Sequence, residues 1–139
     1  MMKALLKYVF LLCVGGIVYC MLEHIFRGRS HWSMFFVGGI AFILCGLLNE
    51  FFPWELPLAT QMLVCCITIT WIEFLSGIVL NVYLGLNVWD YSDLPFNILG
   101  QICPQFTALW FLLGGVAIIL DDYVRYWFFG EEKPRYRIF

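Results

Sequence analysis

Four stretches of this chain, residues 4–26, 32–52, 58–84 and 99–120, are almost wholly apolar and each long enough to cross a bilayer as a helix. A helix rises ~1.5 Å per residue, so about 20 apolar residues span the ~30 Å hydrocarbon layer. The connectors, residues 27–31, 53–57 and 85–98, are short. The chain is 63% hydrophobic and only 13% charged, whereas about a quarter of the residues in a soluble domain are charged. With 139 residues it has no core large enough to hide so much apolar surface. The pattern predicts an all-α protein: an integral membrane four-helix bundle with short loops, one transmembrane domain over residues 1–139. Its outer surface then faces the lipid bilayer.

The first stretch follows Lys3 and Lys7, as a signal peptide would, but its apolar run is long and no small-x-small cleavage site follows. It is expected to be a retained helix. With four spans, Lys3, Lys7, Arg125, Lys133, Arg135 and Arg137 share one side of the membrane, against Arg27 and Arg29 on the other. Lysine and arginine concentrate on the cytoplasmic side, so both termini are expected there, in a bacterial cytoplasmic membrane. Trp32, Trp54, Trp89, Tyr91, Tyr126 and Trp127 fall at expected helix ends, where amphipathic rings settle at headgroup level. The tail, residues 123–139, mixes aromatics with charges and is expected to lie along the inner interface.

The net charge of −2 and the lack of a long basic run give no reason to expect nucleic acid as a partner. Cys13, Cys20, Cys45, Cys65, Cys66 and Cys103 show no metal-ligand spacing and read as small apolar packing residues. His24 and His31 are not at metal-binding spacing either. No P-loop, GxSxG or HExxH string occurs, and no cofactor is implied.

Ionisable groups in hydrocarbon are costly, so each one needs a physical account. Glu73 lies near the middle of the third stretch. Residues three or four apart share a helix face, which puts Cys66, Thr70, Glu73, Gly77 and Asn81 on one stripe that should face other helices. The first stretch offers Gly16, Tyr19 and Glu23 in the same way. The second offers Gly38, Cys45 and Asn49, and the fourth opens with Gly100, Gln101 and Gln105. Small residues let helices approach closely and polar ones bond between them, so a purely structural seam is one reading. A site for a polar solute around Glu73 is the other.

Near the outer boundary Glu23, Asn81, Asp90, Asp93, Asn97 and Gln101 should lie close to Arg27, Arg29 and His31. Carboxylates and guanidiniums at one depth are expected to pair and close the bundle there. Asn97 or Asp93 could instead cap the fourth helix, with Pro95 setting the turn before it.

The strings Glu73-Phe74-Leu75-Ser76-Gly77, Trp89-Asp90-Tyr91-Ser92-Asp93, Pro95-Phe96-Asn97 and Gly100-Gln101-Ile102-Cys103 resemble the CmpB-like "putative ABC-transporter type IV" family. These are small bacterial multi-pass membrane proteins. The resemblance covers roughly residues 73–114 and departs at residues 26–32, where the family is rich in glycine and proline. It implies membrane transport, and it points to Glu73, Trp89, Asp90, Tyr91, Asp93, Asn97, Gly100 and Cys103.

Three functions follow as expectations. The first is a transporter or channel-like permease subunit with a polar intramembrane site around Glu73. Glu23, Glu73, Asn81, Trp89, Asp90, Tyr91, Asp93, Asn97 and Gln101 are its binding candidates, and residues 89–97 are its gate. Four short-looped helices are few for a permease, so this reading implies a homo-oligomer, a larger membrane complex or an ATPase partner. The second is a structural or regulatory subunit, in which Glu73 and Asn81 pair with each other or with Tyr19. The third is a membrane enzyme acting on a lipid head group through Asp90 and Asp93, although no acid–base spacing supports catalysis.

Overall fold

The computed structural model describes residues 1–139, the side chain of Asn49 excepted, so the expectation for that residue lies outside what is described. The chain is all-helical: α1 (Met2–Arg27), α2 (Trp32–Gly46), the single turn α3 (Leu48–Phe51), α4 (Leu58–Gly77) and α5 (Pro104–Phe129). α4 runs on into a π-helical segment, Ile78–Tyr83. Three helices, Met2–Arg27, Leu58–Tyr83 and Pro104–Phe129, are long and apolar enough to cross a membrane, while Trp32–Gly46 is shorter.

α1 packs mainly on α2, and α4 on α5, with α2 also touching α4 and α5. Glycines make the first hairpin tight. A β-carbon on Gly16 would stand 2.5 Å from the Phe35 carbonyl oxygen, and one on Gly39 would stand 2.6 Å from that of Leu12. Lipid offers no hydrophobic drive for helix association, so close backbone approach of this kind is what holds such pairs together. The buried cores are small: Leu11, Phe42 and Val124 in one cluster, Cys45, Cys65 and Ile118 in another. All six cysteines are free, and the Cys66 thiol donates to the Thr107 carbonyl at 3.1 Å.

Two boundaries differ from the sequence reading. The second stretch breaks after Gly46, and the fourth helix runs from Pro104 to Phe129 in place of residues 99–120. Pro104 sits at the helix start, where the missing N–H costs nothing. At the far end Asp121 and Arg125 bond to each other one turn apart, at 2.7 Å, and the helix continues through them.

The tail leaves the helix at Gly130, which takes a left-handed φ of 64°. It then crosses to the start of α4. Leu58 N–H donates to the Arg137 carbonyl at 2.6 Å and Ala59 N–H to that of Ile138 at 3.2 Å. Pro57, at the N-cap of α4, makes no side-chain cap, so the tail's carbonyls meet donors that the helix itself leaves open.

Candidate functional site

Residues 84–103 join α4 to α5 and fold back onto the end of the bundle where α1 finishes. Trp89 and Tyr91, expected as headgroup-level aromatics, are each only 4% exposed. They pack with Val88, Cys103 and Met34 of α2. The backbone alternates, so Trp89 and Tyr91 turn inward while Asp90 and Ser92 turn out.

Gly77 makes room for this loop. A β-carbon there would stand 2.5 Å from Gln101 Oε1 and 3.0 Å from the Trp89 ring. Just beyond it the helix widens into its π-helical segment, an irregularity that often accompanies functional sites. Asn81, on that segment, donates to Gln101 Oε1 at 2.8 Å and accepts from Val88 N–H at 2.6 Å. Trp89 Nε1 donates to the Gln101 carbonyl at 3.0 Å. Asn81, Trp89 and Gln101 therefore form one hydrogen-bonded clasp.

Tyr91 reaches the second group. Its hydroxyl donates to Glu73 Oε1 at 2.8 Å and accepts from Arg27 Nη2 at 2.7 Å. Glu73 Oε2 accepts from Trp110 Nε1, also at 2.8 Å. The Tyr91 ring stacks on Phe106 with centroids 4.5 Å apart, and the Arg27 guanidinium lies 5.5 Å from the Tyr91 ring centroid. Burial, then the Glu73 carboxylate, push the Tyr91 hydroxyl well above the usual phenol range, which keeps it a donor. Glu23 is also buried on this side, one turn before Arg27, with Oε1 unpartnered among the described residues.

The expected pairing of guanidinium with carboxylate at this end does not form. Arg27 goes to a tyrosine, and His31 caps α2 by accepting from Ser33 N–H at 3.3 Å. Asp90 and Asp93 are exposed. Asp90 accepts from the Ser92 backbone N–H at 2.9 Å, a bond that holds its carboxyl below the usual range. Asn97 does not cap α5. It accepts from Gly100 N–H at 2.9 Å and donates to the Leu94 carbonyl at 2.8 Å, which shapes the loop itself. Glu73 and Asn81 are held by separate partners, not by each other or by Tyr19.

Sequence reasoning missed Trp110. It also missed a polar cluster at the opposite end of the bundle. There Arg125, 3% exposed, binds Asp121 and Glu50, while Lys7 binds Glu131 at 2.7 Å and Glu50 at 3.4 Å. The Tyr136 hydroxyl donates to Asp122 at 2.8 Å; burial, then that carboxylate, push its titration upward. The signal was present as an i, i+4 acid–base pair, Asp121 and Arg125, inside an otherwise apolar periodic run. Between the two ends lies an apolar cavity of about 90 Å³, lined by Tyr19, Phe42, Cys45, Ile69 and Trp110 among others.

The model of the family described as "putative ABC-transporter type IV" matches residues 18–128. The chain belongs to that family. The match takes in α2 and α4 whole, the C-terminal part of α1 from residue 18 and nearly all of α5, so it includes Glu23, Arg27, Glu73, Tyr91 and Trp110. A membrane protein related to transport is the reading that the family and the apolar helices jointly support. Neither a curated protein nor a solved structure matches the chain.

Proposed function

We propose that this protein is a permease-type subunit of a bacterial cytoplasmic membrane, with both termini cytoplasmic and Glu73 at its intramembrane polar site. The observation that carries the reading is the source of the bond closing that site. Glu73, on a membrane-crossing helix, is held by a hydroxyl from a loop residue, Tyr91, so the site can open without separating helices. Irregular backbone at membrane depth is tolerated only against protein or a water-filled cavity. Residues 84–103 meet that condition by resting on the bundle.

In this reading the structure is a closed state. Withdrawal of Trp89 and Tyr91 would free one oxygen of Glu73 toward the loop side. The apolar cavity below Trp110 is the route toward the Asp121–Arg125 end. A small polar or cationic solute is the class of cargo a lone carboxylate selects. Asn81 and Gln101 hold the gate, while Asp90, Asp93 and Asn97 shape its outer surface. So small a bundle would work as a homo-oligomer, in a larger complex or with an ATPase.

The test is a pull-down in mild detergent with mass spectrometry, alongside solute flux in vesicles. Glu73→Gln is expected to abolish flux while the protein stays folded. Full flux in that variant would overturn the proposal. The second reading, a structural or regulatory subunit, is favoured by the fact that both Glu73 oxygens already have donors. It gains if the chain always co-purifies with a larger complex whose activity survives Glu73→Gln.

A further inference from the structure

A void of about 30 Å³ lies between α1 and α5, and Tyr19, Glu23, Arg27 and Trp110 are among its walls. Two of those side chains carry a buried polar atom with no partner among the described residues, Glu23 Oε1 and Arg27 Nη1. Glu23 is 7% exposed. No ion pair within 4.0 Å joins it to Arg27. This void is half open and mostly apolar-walled, and at its size it has room for about one or two waters, which Glu23 and Arg27 can hold.

The charges around it do not balance. α1 contributes Glu23, Arg27 and the neutral hydroxyl of Tyr19. α4 contributes Glu73, the loop contributes Tyr91, and α5 contributes Trp110. Around Tyr91 pack Met34 of α2 and the Cys103 thiol. With both carboxylates ionised, two negative charges face one guanidinium, leaving one uncompensated negative charge in a bundle sheathed by lipid. Such a charge is far more costly there than at a surface. One added proton removes it.

We propose that Glu23 and Glu73 form a proton-binding pair that takes up a single proton between them, delivered through water in the void. The step balances simply: hydronium gives its proton to a carboxylate oxygen, leaving water and a carboxylic acid. With Glu23 protonated, Oε1 can donate to or accept from the water beside Arg27, and Glu73 keeps its bonds to Tyr91 and Trp110. The proposal rests on Glu73 lying at the site proposed above, and it names the proton as that site's ligand.

Infrared difference spectra of the full chain in lipid nanodiscs, titrated with acid, test this directly. Glutamate labelled with carbon-13 at its side-chain carboxyl separates these bands from the buried aspartates, Asp121 and Asp122. The expected result is a first protonation step of one carboxyl in the buried population, lost from both Glu23→Gln and Glu73→Gln. Arg27→Gln, which leaves two uncompensated carboxylates, is expected to double that step. A step that survives unchanged in both glutamine variants overturns the proposal, as does an unaltered step in Arg27→Gln. Vesicle flux is read separately. If Glu73→Gln stops flux but no shared step exists, the proton pair fails and the permease reading stands. A shared step in a protein without flux rejects the permease reading alone.

Discussion

Gln101 fills the notch that Gly77 leaves in α4. A β-carbon on residue 77 would stand 2.5 Å from Gln101 Oε1, closer than any real side chain tolerates. The same oxygen accepts from Asn81, so the clasp between the π-helical segment and the loop depends on that missing methyl. Gly77→Ala should therefore displace the Gln101 amide and loosen the loop. Overpacking of this kind costs about 1–3 kcal/mol. The expected result is a lower unfolding temperature in detergent together with faster thiol labelling of Cys103, now 3% exposed. Unchanged labelling would show that the loop does not lean on the notch.

Tyr91→Phe isolates the hydroxyl from the ring. The ring should keep its stack on Phe106, so the loop should stay in place. Glu73 Oε1 and Arg27 Nη2 each lose their partner, and hydrogen bonds to charged groups are worth roughly 1.5–3 kcal/mol. The unfolding free energy measured in mixed micelles should fall by an amount in that range. A larger fall is expected for Tyr91→Ala, which loses the stack as well. Equal stability of Tyr91→Phe and the natural chain would mean that water replaces the hydroxyl and that the site is already open.

Glu73 was legible in the sequence because a carboxylate in an unbroken apolar run has no cheap explanation. Its partners were not, since Tyr91 lies 18 residues away and Trp110 lies 37 residues away. A tyrosine beside a helix end satisfies an interfacial role and a buried one equally well. Only the path of residues 84–103 decides between them, and that path depends on Gly77 and on left-handed turns such as Gly85 and Gly100. The four-helix bundle was readable because bilayer thickness sets helix length. The end of the fourth helix was not, because hydropathy falls at Asp121 and Asp122 whether or not the helix stops. The Asp121–Arg125 bond shows how the pair is carried inside the continuing helix.

Gly46 and Asp121 make the matching test at the other end. A β-carbon on Gly46 would overlap the Asp121 carboxylate, which is fully buried. Gly46→Ala is expected to cost more than Gly77→Ala, because Asp121 also holds Arg125 and cannot swing away. In a double-mutant cycle, Gly46→Ala should add little once Asp121→Ala has removed the obstacle, an interaction of about 1–3 kcal/mol. Simple additivity of the two would place the clash elsewhere.

Removal of residues 134–139 tests the tail as a cap on α4. It takes away the carbonyls of Arg137 and Ile138, which accept from Leu58 and Ala59, and the Tyr136 bond to Asp122. Loss of a helix cap costs about 0.5–2 kcal/mol, and the fraying it permits is confined to the first turn. Hydrogen exchange over residues 57–62 should therefore quicken in the shortened chain, while exchange in the middle of α4 stays as it was. Tyr136→Phe keeps both carbonyls and should leave residues 57–62 protected, changing only the surroundings of Asp122. Because the cap and the tyrosine bond sit on one strap, equal exchange in all three proteins would mean that the α4 amides are capped by water instead. Faster exchange in Tyr136→Phe as well would mean that the tyrosine bond is what holds the strap across the helix start.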